Sequence, residues 1–208
     1  MFSKESEMES IYAEYENELK QVQQDLLLKI EMLDKAHFEQ TGERLFEHVV
    51  SRIKSDESMR EKCRKKGLPE TAESALMNLH DAIGIRIVCS FMDDIYIMKE
   101  KLSCIDGVEI IQEKDYIRHA KANGYRSFHL ILRIKRNDAA GSVVDAFFVE
   151  IQLRTIAMDS WAALEHRMKY KKDIRNQEMI VAELKRCADE LAGCDLSMQT
   201  IRELIRES

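Results

Sequence analysis

Residues 143–154, VVDAFFVEIQLR, decide the reading of this chain. Strand side chains alternate between faces, so Phe147, Val149, Ile151 and Leu153 fall on one side. Phe148, Glu150, Gln152 and Arg154 fall on the other. Two more stretches divide in the same way. In 127–135, Phe128, Leu130, Leu132 and Ile134 oppose Ser127, His129, Arg133 and Lys135; in 83–91, Ile83, Ile85, Ile87 and Cys89 oppose Gly84, Arg86 and Val88. A shorter run, Val108–Ile111, is also rich in β-branched residues. Three strands therefore each offer an apolar face and a face with ionisable groups. One reading is a sheet that is merely wet on one side, which is common in α+β folds. The other is an open platform carrying Arg86, His129, Glu150 and Gln152. Periodicity alone leaves both open.

Working outward, the flanks change to helical spacing. From Glu5 to about Lys35 there is no glycine or proline, and Met8, Tyr12, Tyr15, Leu19, Val22, Leu26, Ile30 and Leu33 recur every three or four residues. That predicts a long amphipathic helix ending well before Gly42. Further helical stretches are expected at Arg44–Val50, Asp56–Lys66 (stopped by Gly67 and Pro69), Ala72–His80, Asp94–Leu102 and Ile156–Lys171. A last helical region covers Gln177–Arg206, with a break expected at Gly193. No repeat, low-complexity segment or linker divides the chain. The expected fold class is α+β: one domain, 1–208, with a mixed β-sheet flanked by helices and long terminal helices. It comprises an N-terminal helix (1–42), a core (43–171) and C-terminal helices (172–208).

Composition narrows the functions available. A net charge of −6 argues against a protein that coats duplex nucleic acid, while leaving room for a local basic site. The five cysteines include no CxxC pair and no zinc spacing, which suits buried thiols in a reducing cytosol. Cys187 and Cys194, two helical turns apart, read as a core-facing stripe. No apolar run approaches the ~20 residues of a membrane span, so the expected location is cytoplasmic, with no membrane partner.

The basic segment bears on phosphate. Arg52, Lys54, Arg60, Lys62, Arg64, Lys65 and Lys66 crowd one short stretch of an acidic chain, as a solvated helix face or as an anion site. There is no GxxxxGK[ST] loop and no GxGxxG after a strand, so any nucleotide phosphates must be gripped by side chains. Phosphoryl transfer needs Mg²⁺ on one or two carboxylates, for which Asp81 and Glu150 are candidates. Alone, Asp81 also reads as a turn residue and Glu150 as an exposed strand residue.

The segments SRIKSDES (51–58), HDAIGIRIVCSFMDDIY (80–96), KDYIRHAKANGYRSFH (114–129) and VEIQLRTIAMDSWAALEH (149–166), with KYK behind the last, resemble the synthetase domain of the RelA/SpoT group. In length the chain resembles a stand-alone small alarmone synthetase without hydrolase or regulatory extensions. The resemblance implies a nucleotidyltransferase-like synthetase fold. It also implies GTP/GDP pyrophosphokinase activity, in which the β,γ-pyrophosphate of ATP moves to the 3′-hydroxyl of GTP or GDP. Carried over residue by residue, it implies that Arg52 and Arg86 sandwich adenine and that Lys54 and Lys62 hold ATP phosphates. Asp81 and Glu150 would hold Mg²⁺, with Glu150 also helping to deprotonate the hydroxyl. The ring of Tyr125, rather than its hydroxyl, would stack on guanine, with Asp159 at the guanine edge. Lys114, Lys121 and His129 would bind acceptor phosphates, with Gln152 beside them. It further implies a homotetramer built by the terminal helices and, in some members, the alarmone product or single-stranded RNA as allosteric ligand. Ala120 and Ala122 stand where the group often has prolines, and Ser160 where it often has an aromatic. Two rivals stay open: a toxic synthetase of the same fold acting on tRNA 3′ ends or adenosine nucleotides, and a non-catalytic nucleotide- or RNA-binding regulator. Replacement of Asp81 or Glu150 would favour the second, and both are present.

Overall fold

The computed structural model describes residues 10–137, 143–169 and 176–207. A 3₁₀ turn, Ala13–Tyr15, leads into α1 (Glu16–Thr41). Then follow β1 (His48–Ile53), α2 (Asp56–Lys66), a π-helical turn (Ser74–Asn78), β2 (Ile83–Cys89) and α3 (Met92–Ser103). The chain continues through β3 (Val108–Asp115), β4 (Phe128–Asn137), β5 (Val143–Thr155), α4 (Ile156–Lys169) and α5 (Gln177–Arg206).

The strands form one mixed sheet in the order β1-β2-β5-β4-β3, parallel between β2 and β5 and antiparallel elsewhere. The apolar faces read from alternation meet in one core. Ile83, Ile85 and Ile87 join Val149, Ile151, Leu153, Leu130 and Leu132 beneath Leu19, Leu26 and Ile30 of α1 and Ile95, Met98 and Leu102 of α3. A second, small cluster packs Trp161 and Ala162 of α4 against Ala188 of α5. With one face thus covered, the polar face of β2, β5 and β4 stays free for α4 to border.

Four local expectations are corrected. The stretch read as a helix over Arg44–Val50 is not helical: residues 44–47 are irregular and His48 opens β1, an edge strand antiparallel to β2. Its residues alternate between exposed and half-buried, with Val49 and Ile53 packing on the edge of the core and Ser51 interrupting the apolar face between them. Residues 5–9 of the expected N-terminal helix lie outside the described residues; among the described ones the helix begins at Glu16 and runs on to Thr41, where Gly42 at φ +76° closes it with an N–H to the Phe38 carbonyl. No break occurs at Gly193, since α5 is continuous. Cys187 and Cys194 are exposed, because the inward face of α5 is Ala188, Asp195, Gln199 and Arg202, mostly polar. Tyr170 and Lys171 lie outside the described residues.

Candidate active site

Strand register assembles the site. Arg86 on β2 pairs with Gln152 on β5, Gln152 with His129 on β4, and His129 with Lys114 on β3. One step along, Arg52 on β1 pairs with Gly84, and Gly84 with Glu150. A Cβ built on Gly84 would sit 4.0 Å from Arg52 Cγ, so the arginine stem passes beside this position. Two adjacent rows thus line up ionisable groups from all five strands. A cleft of about 500 Å³ opens above them, walled by Arg52, Lys54, Asp81, Arg86, Tyr125, Glu150 and Gln152 and by Ala162, Ala163, Glu165, His166 and Arg167 of α4.

At one end Asp81 Oδ2 receives Lys54 Nζ at 2.7 Å and Lys62 Nζ at 2.6 Å. Burial pushes the Asp81 carboxyl up, but the two ammonium ions outweigh it and hold the group below its ordinary value. Asp81 Oδ1 is buried without a hydrogen-bond partner. The basic segment therefore divides. Arg52, Lys54 and Lys62 turn to the cleft, while Arg60 and Arg64 reach Glu70 and Lys65 reaches Glu61 at the surface.

At the other end a polar chain runs through the cleft. Arg154 Nη2 donates to Tyr125 Oη at 2.9 Å and to Gln152 Oε1 at 2.8 Å. Tyr125 Oη lies 2.8 Å from His129 Nε2, and His129 Nδ1 lies 3.5 Å from Glu150 Oε1. Gln152 Nε2 donates to Glu150 Oε2 at 3.0 Å. Burial raises the Glu150 pKa, but His129 first and Gln152 after it bring the net shift below the ordinary value, against a smaller push from the Asp81 charge. Lys121 Nζ stands 4.5 Å and 4.8 Å from the ring centroids of Tyr116 and Tyr125. Its loop closes without prolines at 120 and 122, through Gly124 N–H to the Lys121 carbonyl at 2.8 Å.

Asp159 joins the two ends. Its Oδ1 accepts from Arg154 Nη1 at 2.9 Å, and Arg86 Nε lies 3.2 Å from the same oxygen, out of hydrogen-bond alignment.

Residues 51–175 match the family model described as the region found in RelA / SpoT proteins. The chain belongs to the RelA/SpoT family. It is 40% identical to GTP pyrophosphokinase YwaC of Bacillus subtilis over 162 residues, 78% of this chain and 76% of that one. Among solved structures, small alarmone synthetase 1 of Bacillus subtilis bound to its product pppGpp superposes with a TM-score of 0.78 at 32% identity, covering 90% of this chain and 94% of that one. Small alarmone synthetase 2 of the same organism superposes at 0.77 with 37% identity, covering 91% and 98%.

Within this RelA/SpoT chain Lys54 and Lys62 meet at Asp81, whereas Arg86 meets Asp159 beside Arg154, and His129, Gln152 and Arg154 join Tyr125 in one network. Lys114 and Lys121 stand exposed at the margin. Sequence reasoning put Arg154 on the polar face without a role, yet it is the hub that bonds Tyr125, Gln152 and Asp159 and is only 6% exposed. Its signal was the i, i+2, i+4 series Glu150, Gln152, Arg154. On α4 only Asp159 was expected; the wall residues Ala162, Ala163 and His166 were missed, although with Asp159 they recur at i, i+3, i+4, i+7 on one helix face.

The donor set fits Mg²⁺. Hard carboxylate oxygens are what that ion takes, and Asp81 Oδ1 is a buried oxygen lacking a partner. Among the described residues no three His, Cys, Asp or Glu converge as a metal cage. Two carboxylates completed by phosphate oxygens suit such an arrangement.

Proposed function

We propose that this chain is a GTP/GDP pyrophosphokinase that transfers the β,γ-pyrophosphate of ATP to the 3′-hydroxyl of GTP or GDP, giving pppGpp or ppGpp and AMP. The observation that carries the reading is a single cleft with a cationic end at Asp81, an aromatic and cationic end at Tyr125, and Glu150 on the strand between. The names of the relatives, GTP pyrophosphokinase and alarmone synthetase, support it.

In this reading adenine lies between Arg52 and Arg86, whose guanidinium planes suit stacking. Lys54 and Lys62 exchange the Asp81 carboxylate for phosphate oxygens as ATP enters. Guanine stacks on Tyr125 with its edge toward Asp159, and Lys114, Lys121 and His129, with Gln152, receive the acceptor phosphates. The 3′-oxygen bonds to the β-phosphorus, the bond from that phosphorus to the α–β bridging oxygen breaks, and the oxygen leaves on AMP. The hydroxyl proton passes to Glu150, whose lowered pKa makes it a weak base, so the proton moves late, once bond formation has acidified the hydroxyl. Asp81 and Glu150 would hold Mg²⁺, which when bound would screen the phosphate charge. Chain-borne catalysis is otherwise positioning and charge complementarity.

The domain assignment belongs to this reading: one synthetase domain, 1–208, with its catalytic core at 43–171. So do a cytoplasmic location and a homotetramer. Among the described residues no helix is long and apolar enough to cross a membrane. Transfer from γ-labelled ATP to GTP, GDP, tRNA or adenosine nucleotides, each offered alone, tests the acceptor class. Label on GTP and GDP is expected; label confined to tRNA or adenosine nucleotides would overturn the assignment.

A further inference from the structure

The loop carrying Lys121 and Tyr125 is not held by the sheet alone. Tyr125 N–H donates to Asn123 Oδ1 at 3.2 Å, and Asn123 Nδ2 donates to Glu165 Oε1 of α4 at 2.9 Å. On its far side the loop lies directly on α5. Gly124 has φ +89°, and a Cβ there would fall 2.6 Å from Ala188 Cβ and 3.3 Å from Lys185 Cα. A glycine is therefore required twice, by the left-handed backbone and by the approach of the helix. The next residue but one makes the second link. Arg126 Nη1 donates to the Gly124 and Ala188 carbonyls, each at 3.2 Å, and Nη2 donates to Asp189 Oδ1 at 3.0 Å. One guanidinium thus ties a loop carbonyl, a helix carbonyl and a helix carboxylate in a planar fork that a lysine could not reproduce. Arg126, then Lys185, holds the Asp189 carboxyl below its ordinary value. Trp161 Nε1 donates to the Leu184 carbonyl at 2.8 Å, fixing α4 to the same turn of α5.

We propose that Arg126 and Asp189 are positioning residues that set acceptor affinity, with α5 at Ala188 as the back wall of the acceptor loop. This rests on the reading of Tyr125 and Lys121 as acceptor ligands. Neither Arg126 nor Asp189 touches the donor end of the cleft, and α5 lies beyond the 51–175 family match. Loosening the clamp releases the loop that presents the stacking ring and an ammonium ion, and leaves Arg52, Lys54 and Asp81 where they are.

The test is two-substrate steady-state kinetics on the full chain for Asp189→Ala, Ala188→Val and Arg126→Lys. GTP titrations followed by the fluorescence of Trp161, the single tryptophan, give a readout without turnover. Asp189→Ala removes the charge partner, and Ala188→Val pushes the wall into Gly124 by an unrelated route. Both are expected to raise the acceptor KM and the GTP dissociation constant about tenfold while ATP KM and kcat stay within about twofold. Arg126→Lys falls between, and Asp189→Glu restores acceptor binding. A merely structural role would lower the active fraction without splitting the two KM values. Unchanged acceptor KM in both Asp189→Ala and Ala188→Val, or equal rises for both substrates, overturns the clamp and leaves the proposed function intact. A wild-type protein that forms no AMP from ATP and GTP overturns both.

Discussion

Glu150 and Asp81 are 69 positions apart in the chain, yet the negative charge of one is felt by the other, because the pairing of β2 with β5 brings them to one cleft. Asp81→Asn and Glu150→Gln are each expected to cut kcat by about 10²-fold or more while circular dichroism stays unchanged. Near-wild-type turnover would remove that carboxylate from the site. Both groups titrate below their ordinary values when folded. A depressed pKa means the charged form and its stabilisation are complete above the unfolded value and are lost only as pH falls through the folded one. A rise of rate between pH 6 and 8 therefore does not report Glu150, and Glu150→Gln should leave the slope of that limb unchanged. Tyr125 was legible as a stacking ring, but its hydroxyl had no visible task. In the structure that hydroxyl links Arg154 to His129. Tyr125→Ala should lose a base contact of ~1–3 kcal/mol, seen in acceptor KM. Tyr125→Phe should keep acceptor KM within about twofold but lower kcat about three- to tenfold, since losing the hydroxyl's bonds to Arg154 and His129 costs a net ~1 kcal/mol. A fully active Phe variant would mean the hydroxyl is idle.

Elements with one strong period were readable; elements whose inner face is polar were not. β2, β4 and β5 declared themselves by alternation, whereas β1 is a half-exposed edge strand whose inner face, Val49 and Ile53, is interrupted by Ser51 and too short to stand out. α5 misled for the opposite reason. Its inward residues Asp195, Gln199 and Arg202 make specific bonds, so hydrophobicity points to the wrong face. Arg202 reaches buried Asp94 at 2.6 Å and also Glu43, which follows α1. Glu43 takes Arg206 as well, and the hydrogen bonds from Arg206 and then Arg202 lower its pKa to about 2. At 37% side-chain exposure the clamp is discounted for screening to about 1 kcal/mol, so Glu43→Gln should lower Tm by about 2–4 °C at pH 7. Because the folded pKa is depressed, that difference should hold above the ordinary value of 4.5 and shrink as pH falls toward about 2. Thermal melts at pH 7, 5, 4 and 3 check it; a gap independent of pH would contradict the clamp.

At the scale of the molecule, the sheet spends one face on the core and the other on the cleft, and the long terminal helices still show apolar side chains outward. Leu28 and Met32 of α1 and Leu196, Ile201, Leu204 and Ile205 of α5 are each at least half exposed. Light scattering should therefore give a multiple of 24.3 kDa, four being expected, and a strict monomer at micromolar concentration would refute self-association while leaving the chemistry untouched. Helix–sheet–helix order and the polar platform were legible in the spacing of Ile, Val and Phe, but the joining of the two ends of the cleft through Asp159 was not. That joint is made by a helix-borne carboxylate meeting arginines from two strands, a coincidence of tertiary structure without a local pattern. The most direct test of the whole account is product chromatography from ATP and GTP, followed over time with magnesium and with a chelator. AMP and a 3′-pyrophosphorylated guanosine should accumulate in equal amounts, and only with the metal present. ADP as the by-product, or formation undiminished by the chelator, would contradict it.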